Sequence, residues 1–282
     1  MKELEGKTAV ITGGASGIGN AIAHSLSQRG MNLVIGDIEE EALANAVTDL
    51  ERAGASVFGL PCDVSKISDV ETLRDLALEK FEGVHVVCNN AGVGAGGPLW
   101  KSTVEDWQWV LGPNLWGVIN GILTFVPYMV ERGEGHVVNT ASMAGMVTGP
   151  GLGIYSATKF AVVAISESLI QDLRMSGSQV GVSVLCPGWV KTRIADSERN
   201  RPPELSRTAE PDAAGQVMRE MLNQVIESGI EPAIVGEMVA DAIEEDRFYI
   251  FPHPEMLGGF KSRADKILNG ESPAFDATGW VG

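Results

Sequence analysis

Basic residues, cysteine and histidine are all scarce in this sequence of 282 residues. Lysine and arginine together number 21 against 37 aspartates and glutamates, which leaves a formal charge of −16 at pH 7. That excess of negative charge repels phosphate backbones and anionic lipids, so nucleic-acid binding and membrane-surface binding are disfavoured. The three cysteines show no CxxC spacing and the four histidines are scattered, so the sequence predicts no metal site.

Long hydrophobic runs are also missing. The longest apolar stretch, from Val118 to Val130, is interrupted by Asn120 and Pro127, so it does not have the character of a membrane-spanning helix. The first residues lack the basic-then-apolar pattern of a secretory signal. We therefore expect a cytoplasmic protein that does not enter a membrane.

Short β-branched runs alternate with longer amphipathic segments along most of the chain. This alternation is typical of βαβ units around a parallel sheet. It predicts a single α/β domain over residues 1–282, with a doubly wound, seven-stranded parallel sheet of the Rossmann type. The predicted strands are Thr8–Thr12, Asn32–Gly36, Ser56–Leu60, Val84–Cys88, Gly135–Thr140, Val180–Leu185 and Arg247–Phe251. The predicted helices are Ile18–Arg29, Glu39–Ala53, Ile67–Phe81, Thr103–Arg132, Ile154–Ser176 and Ile234–Glu245.

Two segments depart from the alternation. Residues 190–229 are charged and contain three prolines before an amphipathic stretch, Ala213–Ser228, so we expect an inserted helical lid over a substrate. Residues 254–282 show no strong periodicity, and we expect them to form a surface tail.

A glycine-rich loop follows the first predicted strand and opens into a helix. Its residues Gly13, Ser16, Gly17, Ile18 and Gly19 are expected to bind a pyrophosphate. Glycines let the backbone approach the phosphates, and the N–H groups at the start of the helix favour their negative charge. A glycine pattern alone is weak evidence, but here a strand precedes it, a helix follows it and an acid ends the next strand.

That acid is Asp37, 18 residues after Gly19. A carboxylate at this position can accept hydrogen bonds from the adenosine ribose hydroxyls and would repel a 2′-phosphate. Neither Ser16 nor Ile38 is basic, so the sequence favours NAD over NADP. Asp37 could also cap the helix that follows, a role that is compatible with ribose binding.

Tyr155 and Lys159 are four residues apart, which places both on one face of a predicted helix. A nearby ammonium favours phenolate and lowers the pKa of a tyrosine from its ordinary value of about 10. Such a phenol can act as a general base toward an alcohol and as a general acid toward a carbonyl. Taken alone, the pair is better explained by an ordinary amphipathic helix with Tyr155 half buried and Lys159 solvated. Ser142, at the end of the fifth strand where ligands bind, could hydrogen-bond the substrate oxygen.

Several further motifs occur in a characteristic order along the chain. Together with those above they are the loop Thr12–Gly19, Asp63, Asn89-Asn90-Ala91-Gly92, Asn114, Ser142, Tyr155-Ser156-Ala157-Thr158-Lys159 and Pro187-Gly188-Trp189-Val190-Lys191-Thr192. From Lys7 to about Phe251, this order resembles the classical short-chain dehydrogenase/reductase family. The resemblance implies that Tyr155 exchanges the proton while the nicotinamide exchanges the hydride, that Lys159 also binds the nicotinamide ribose, and that Ser142 orients the carbonyl.

The resemblance also implies that the backbone carbonyl of Asn114 holds a water of a proton relay. Pro113 is expected to kink the helix there, and a polar residue that merely interrupts the helix would also explain Asn114. The rest of the implied cofactor site has three parts. Adenine is expected to contact Asp63 and Val64, and the adenosine half is expected to contact Ile38, Asn90, Ala91 and Gly92. The nicotinamide end is expected to contact Pro187, Gly188, Val190 and Thr192.

The substrate is expected to contact Ser142, Met143, Tyr155 and Trp189. Small residues around them leave room, while methionine and tryptophan supply adaptable apolar contacts, so a bulky hydrophobic or aromatic substrate is favoured. Flexible glycine loops without a common ligand would explain the same composition. The segment from Ile194 to Ile243 resembles the bacterial subgroup that contains the Cα-dehydrogenases of lignin aryl ethers.

These features predict an NAD-dependent oxidoreductase that interconverts a secondary alcohol and its ketone. Two alternatives stay open: an NADPH-dependent ketoreductase of acyl-chain or polyketide metabolism, and a cofactor-binding protein without catalysis. The resemblance also implies a homodimer or homotetramer, formed through outer helix positions that include Trp107, Trp109 and Phe160.

Overall fold

The computed structural model describes residues 1–206 and 213–273, and within them seven strands form one parallel sheet. The strand order is β3-β2-β1-β4-β5-β6-β7. Strands β1 to β3 therefore extend the sheet toward one edge and strands β4 to β7 toward the other, so the order reverses between β1 and β4. The predicted sheet is confirmed, although β7 is shorter than expected. The strands are β1 (Thr8–Thr12), β2 (Asn32–Asp37), β3 (Val57–Pro61), β4 (Val86–Asn89), β5 (His136–Thr140), β6 (Gly181–Leu185) and β7 (Tyr249–Ile250).

Helices cover both faces of this sheet. The side chain of Ile11 in β1 packs into an apolar cluster on one face, and that of its neighbour Val10 packs into a second cluster on the other. This alternation buries β1 on both sides, as expected for a parallel strand with a continuous apolar run. The helices are α1 (Gly17–Gln28), α2 (Glu40–Arg52), α3 (Ile67–Phe81), α4 (Val104–Leu111), α5 (Gly117–Arg132), α6 (Gly153–Met175), α7 (Ala213–Glu227), α8 (Pro232–Glu245) and α9 (Leu257–Leu268).

The segment predicted as one helix over residues 103–132 is two helices joined by a π turn. The π turn spans Gly112–Trp116 and contains Pro113, which has no N–H to donate to the helical ladder. Turns of this kind are rare and occur often at functional sites. Here the π turn directs the side chain of Asn114 into the interior, where it is fully buried.

Residues 190–206, which we call the strap, lead from β6 across the carboxyl edge of the sheet. Arg201 in the strap forms an ion pair with Asp106 at 2.8 Å, and both side chains are almost entirely buried. The Arg201 guanidinium also lies 4.8 Å from the ring centre of Trp109. Trp109 is therefore an internal residue, and the expectation that it lies at an outer subunit surface is wrong. Part of the predicted lid, residues 207–212, lies outside the described residues.

The C-terminal segment was predicted as a surface tail without a predicted helix, and residues 257–268 within it form α9. Two glycines in its first turn, Gly258 and Gly259, have low helix propensity and obscure the pattern. Arg263 in α9 lies over the ring of Phe160 at 4.9 Å, so α9 packs against α6. Residues 274–282, which include Trp280, lie outside the described residues.

Two helical stretches, Val104–Arg132 and Gly153–Met175, are long and apolar enough to cross a membrane by length and composition alone. Within their most apolar windows, 56% and 39% of the residues are buried inside this fold. The core helices of an α/β domain pass the same test, so the observation is weak evidence for a membrane segment.

Candidate active site

The glycine-rich loop lies at the carboxyl end of β1, where the chain reverses between β1 and β4. Asn90, which follows β4, donates from its side chain to the carbonyls of Thr12 and Gly13 at 3.1 and 3.3 Å. Its side-chain oxygen accepts a hydrogen bond from the Thr140 hydroxyl at the end of β5. Asn90 therefore joins the ends of three strands.

Glycine is required in this loop because there is no space for a side chain. A Cβ at Gly19 would lie 2.1 Å from the Gly13 carbonyl oxygen, and a Cβ at Gly13, whose φ is +64°, would lie 2.8 Å from the Cα of Ala91. The loop thus leaves the start of α1 open, and Ser16 at the helix N-cap uses no side-chain hydrogen bond there. This is a cradle of the kind that accepts a pyrophosphate.

Asp37 lies at the end of β2, next to this loop. One of its carboxylate oxygens accepts a hydrogen bond from the Ala15 N–H at 3.0 Å, and the other accepts from the Glu39 N–H at 3.1 Å. The N-cap of α2 is Glu39, so Asp37 supports the start of α2 from outside it. Burial raises the pKa of Asp37, while the backbone N–H groups oppose this shift. Ile38 is half exposed beside it.

Asp63 and Val64, which the family resemblance places at adenine, have local partners in this structure. The Asp63 carboxylate accepts hydrogen bonds from the backbone and hydroxyl of Ser65 and lies 3.3 Å from the Lys66 ammonium. Val64 is buried under the start of α5, since a Cβ at Gly117 would lie 2.7 Å from its side chain. Both residues therefore organise the turn before α3, and their role at adenine stays a prediction.

Lys159 has its ammonium buried beneath the carboxyl edge of the sheet. It donates a hydrogen bond to the backbone carbonyl of Thr140 at 2.9 Å and lies 5.6 Å from the ring centre of Tyr155. Burial lowers the pKa of Lys159 to about 8. The side chain is 4% exposed, so a solvated lysine on an ordinary amphipathic helix is excluded.

Tyr155 behaves differently from the simple expectation. A neighbouring ammonium was expected to lower its pKa, but burial raises the pKa of Tyr155, and a hydrogen bond with the Ser142 side chain opposes the rise. The physical reason is that removing a phenol from water disfavours the phenolate, while the Lys159 charge is directed at a carbonyl. The phenol is therefore in its neutral, proton-donating form at neutral pH.

Ser142 follows β5 by two residues, on the same edge of the sheet. Its hydroxyl donates to the carbonyl of Pro187 at 3.3 Å and accepts from the Ala144 N–H at 3.0 Å. These contacts hold the side chain between β5 and the loop that follows β6. Ser142 and Tyr155 therefore meet where the parallel strands end, at the position where open α/β sheets bind ligands.

The Asn114 side chain is hydrogen-bonded to both backbone groups of Val93. Its side-chain oxygen accepts from the Val93 N–H at 2.7 Å and its amide donates to the Val93 carbonyl at 2.9 Å. A Cβ at Gly92 would lie 3.1 Å from the Asn114 side chain and 3.7 Å from the Lys159 ammonium, so Asn114 and Lys159 are neighbours. The Asn114 side chain therefore holds Val93 in place, and the role of the Asn114 backbone carbonyl in a proton relay stays a prediction.

The residues expected at the nicotinamide end and at the substrate lie around the loop after β6. Pro187 and Val190 are buried, Gly188, Trp189 and Thr192 are partly exposed, and Val190 pairs with Ile230. Met143 is placed differently from the expectation. Its side chain is fully buried in an apolar cluster with Val162 and Val184, because the short turn after Ser142 directs it into the core.

Sequence reasoning missed the residues that hold the strap over the crevice. The Glu39 carboxylate accepts hydrogen bonds from Arg199 at 2.6 and 3.2 Å and from Asn200 at 3.0 Å. Ser197 accepts from the Gly94 N–H at 2.9 Å, and a Cβ at Gly17 would touch Thr192 at 3.0 Å. Glu39 and Arg199 are 160 residues apart, so no local pattern signals their contact.

The chain shows clear similarity to known proteins. A family model described as "short chain dehydrogenase" matches residues 7–203. This chain belongs to the short-chain dehydrogenase/reductase family. Two relatives are "CLA biosynthesis dehydrogenase/reductase" of Lactiplantibacillus plantarum, 32% identical over 97% of both chains, and "C alpha-dehydrogenase" of a Sphingobium species, 34% identical over 97% of this chain and 89% of the relative.

A solved structure agrees with this membership. The crystal structure of a short-chain dehydrogenase/reductase from Burkholderia phymatum in complex with NAD superimposes with a TM-score of 0.96. The two are 45% identical, and the match covers 98% of this chain and 99% of the other. As a short-chain dehydrogenase, the chain is an oxidoreductase. The glycine cradle and the carboxylate of Asp37 fit the pyrophosphate and ribose of a nicotinamide dinucleotide.

The buried charge of Lys159 predicts a measurable pH effect on stability. The folded-state pKa of Lys159 is about 8, below the ordinary value of 10.5, so the charged lysine destabilises the fold. The whole destabilisation is present below about pH 8, and it decreases as the pH rises toward 10.5. Lys159→Met removes this charge, so its free energy of unfolding is expected to rise relative to the wild type. We expect this rise to be about 2 kcal/mol larger at pH 7 than at pH 9.5. Urea denaturation at both pH values measures this difference.

The matched control is Lys80→Met, which removes a surface lysine paired with Glu79. Its effect on the free energy of unfolding is expected to be small, because exposed ion pairs contribute about 0–1 kcal/mol. An equal effect of Lys159→Met at the two pH values would show that the fold does not disfavour the Lys159 charge.

Proposed function

We propose that this short-chain dehydrogenase interconverts a bulky hydrophobic or aromatic secondary alcohol and its ketone, with NAD(H) as the hydride carrier. The observation that carries the proposal is the convergence of Tyr155, Ser142 and Lys159 at the carboxyl edge of the sheet, next to the glycine cradle. A bound nicotinamide supplies the hydride acceptor for oxidation and the hydride donor for reduction.

The protein's part in this reaction is proton transfer and orientation. Tyr155 exchanges a proton with the substrate oxygen. The Ser142 hydroxyl turns from the Pro187 carbonyl and donates its hydrogen bond to the same oxygen. Because burial favours the neutral phenol, Tyr155 is ready to protonate a ketone during reduction. Alcohol oxidation requires the phenol to lose its proton, so higher pH favours that direction.

The substrate class is supported by the site and by one relative. Trp189 is a partly exposed residue of the loop after β6, and the loop at Gly94 and Gly96 has no bulky side chains. The similarity to a relative named C alpha-dehydrogenase supports an aryl substrate in particular. The strap and α7 are the proposed substrate lid.

Replacing the proposed acid and base tests the reaction directly. We expect Tyr155→Phe to lose about 10²- to 10⁴-fold in turnover, because the ring stays in place while the proton donor is removed. NADH binding should stay within about twofold, since ring packing is unchanged. The assay is NADH formation from NAD with a panel of aryl, terpenoid and steroid secondary alcohols.

Tyr128→Phe is the matched control, because Tyr128 lies on α5 with its ring next to Arg132. It should keep full turnover. Equal activity of the wild type and Tyr155→Phe would refute the proposed role. Tight NADH binding with no turnover by the wild type on any alcohol or ketone would favour the cofactor-binding protein instead.

The proposed preference for NAD rests on the position of the Asp37 carboxylate at the end of β2. We expect the wild type to bind NADH at least about tenfold more tightly than NADPH, because Asp37 repels the 2′-phosphate. Asp37→Asn should reduce this difference between the dissociation constants of NADH and NADPH. Dissociation constants from calorimetry measure it, with Asp49→Asn on the exposed face of α2 as the control.

Tighter binding of NADPH than of NADH by the wild type would contradict this preference. Combined with ketone reduction by NADPH, it would favour the alternative of a ketoreductase of acyl-chain or polyketide metabolism.

We also propose that the protein is a cytoplasmic homodimer or homotetramer. Exposed apolar side chains along and before α5 support this proposal: Trp116, Leu123 and Val130 are 53%, 58% and 41% exposed. Sedimentation of protein purified without detergent should show a dimer or tetramer. Leu123→Glu should shift it toward the monomer because it would bury a charge, whereas Ile267→Glu on α9 should not.

A monomeric wild type would contradict the proposed assembly. A wild type that stays in solution only with detergent would contradict the expectation that the protein does not enter a membrane.

A further inference from the structure

His253 lies between β7 and α9 and contacts the loop that follows β6. Its ring is 7% exposed, and its Nδ1 atom accepts a hydrogen bond from the backbone N–H of Gly188 at 3.1 Å. The two residues are 65 positions apart in the sequence. The scattered histidines gave no reason to single this one out.

The contact is close as well as polar. A Cβ at Gly188 would lie 2.9 Å from the His253 ring and 2.4 Å from the sulfur of Met256. Glycine at position 188 therefore lets the imidazole and Met256 pack directly against the backbone of the loop. The residues before α9 thus form a support beneath this part of the site.

The hydrogen bond also determines which nitrogen carries the proton. Because Nδ1 accepts from an N–H group, the neutral ring must carry its proton on Nε2. Burial lowers the pKa of His253, so the ring is neutral at neutral pH and its Nδ1 lone pair is available. The Gly188 N–H lies against the buried His253 ring in a part-buried contact, where losing its acceptor costs free energy, so His253 holds Gly188 in one position.

Gly188 connects two parts of the proposed site. On one side, the Pro187 carbonyl accepts hydrogen bonds from the Ser142 hydroxyl and the Met143 N–H. On the other side are Val190 and Thr192, the residues expected at the nicotinamide end. A shift at Gly188 would therefore move the nicotinamide end of the site directly, and it would reach the glycine loop only through the contact of Thr192 with Gly17.

We propose that His253 is a positioning residue for the nicotinamide end of the cofactor site, acting through the Gly188 N–H. The inference rests on the proposed dinucleotide binding and assigns a part of it to the C-terminal segment. His253 itself does not contact the reacting atoms in this role. Its effect is on the affinity for the nicotinamide half of the dinucleotide.

Two amide side chains distinguish the hydrogen bond from simple packing. Asparagine carries an oxygen close to the position of Nδ1, whereas the acceptor of glutamine lies one atom further along, near the position of Nε2. His253→Asn should therefore preserve the bond to Gly188, and His253→Gln should lose it. His253→Leu removes the acceptor while keeping apolar bulk, and Met256→Leu is the packing control in the same segment.

The experiment is calorimetric titration of the full-length protein with NADH and with ADP-ribose, which lacks the nicotinamide. We expect His253→Leu and His253→Gln to weaken NADH binding by about fivefold or more and to change ADP-ribose binding by less than about twofold. His253→Asn and Met256→Leu should bind both ligands like the wild type.

Three outcomes would overturn the inference: unchanged NADH binding in His253→Gln, an equal loss of both ligands in that variant, or a loss in His253→Asn as large as in His253→Gln. If His253→Leu does not fold, the comparison of the asparagine and glutamine variants decides the question alone. A wild type that binds neither ligand would refute the proposed function itself, which separates the two failures.

Discussion

The hydrogen bonds of Asn90 hold together the part of the molecule on which the candidate site depends. They join the carboxyl ends of β1, β4 and β5, which are neighbours in the sheet but far apart in the chain. The crevice at the reversal of a parallel sheet has the right shape for a dinucleotide only if those strand ends keep their spacing. Asn90 thus converts a general property of the fold into one defined site.

Burial is the second constraint. It disfavours the charged form of both central side chains, so it shifts their pKa values in opposite directions. It destabilises the charge of Lys159, which the Thr140 carbonyl partly compensates, and it favours the neutral phenol of Tyr155. No carboxylate among residues 1–206 and 213–273 pairs with Lys159. A buried ammonium of this kind reduces stability, and its retention is typical of a functional site. The strap adds to this enclosure through Glu39 at one end and Asp106 at the other.

Much of the fold and part of the site could be predicted from local patterns. The glycine loop, the acid at Asp37 and the pair Tyr155 and Lys159 depend on spacings within a strand, a turn or a helix. The helix α9 was missed because two glycines in its first turn weaken its pattern. The expected fall in the pKa of Tyr155 was wrong because spacing shows a neighbouring charge but not how deeply the phenol is buried.

The sequence by itself determined the alternation of strands and helices, the seven-stranded parallel sheet and the residue types at the strand ends, because periodicity and turn chemistry are local properties. The tertiary structure decided which of those ends meet and what holds them. It brought Glu39 to Arg199, Asp106 to Arg201 and His253 to Gly188. These contacts join residues between 65 and 160 positions apart, and they form only when the packed helices bring distant segments of the chain into hydrogen-bond distance.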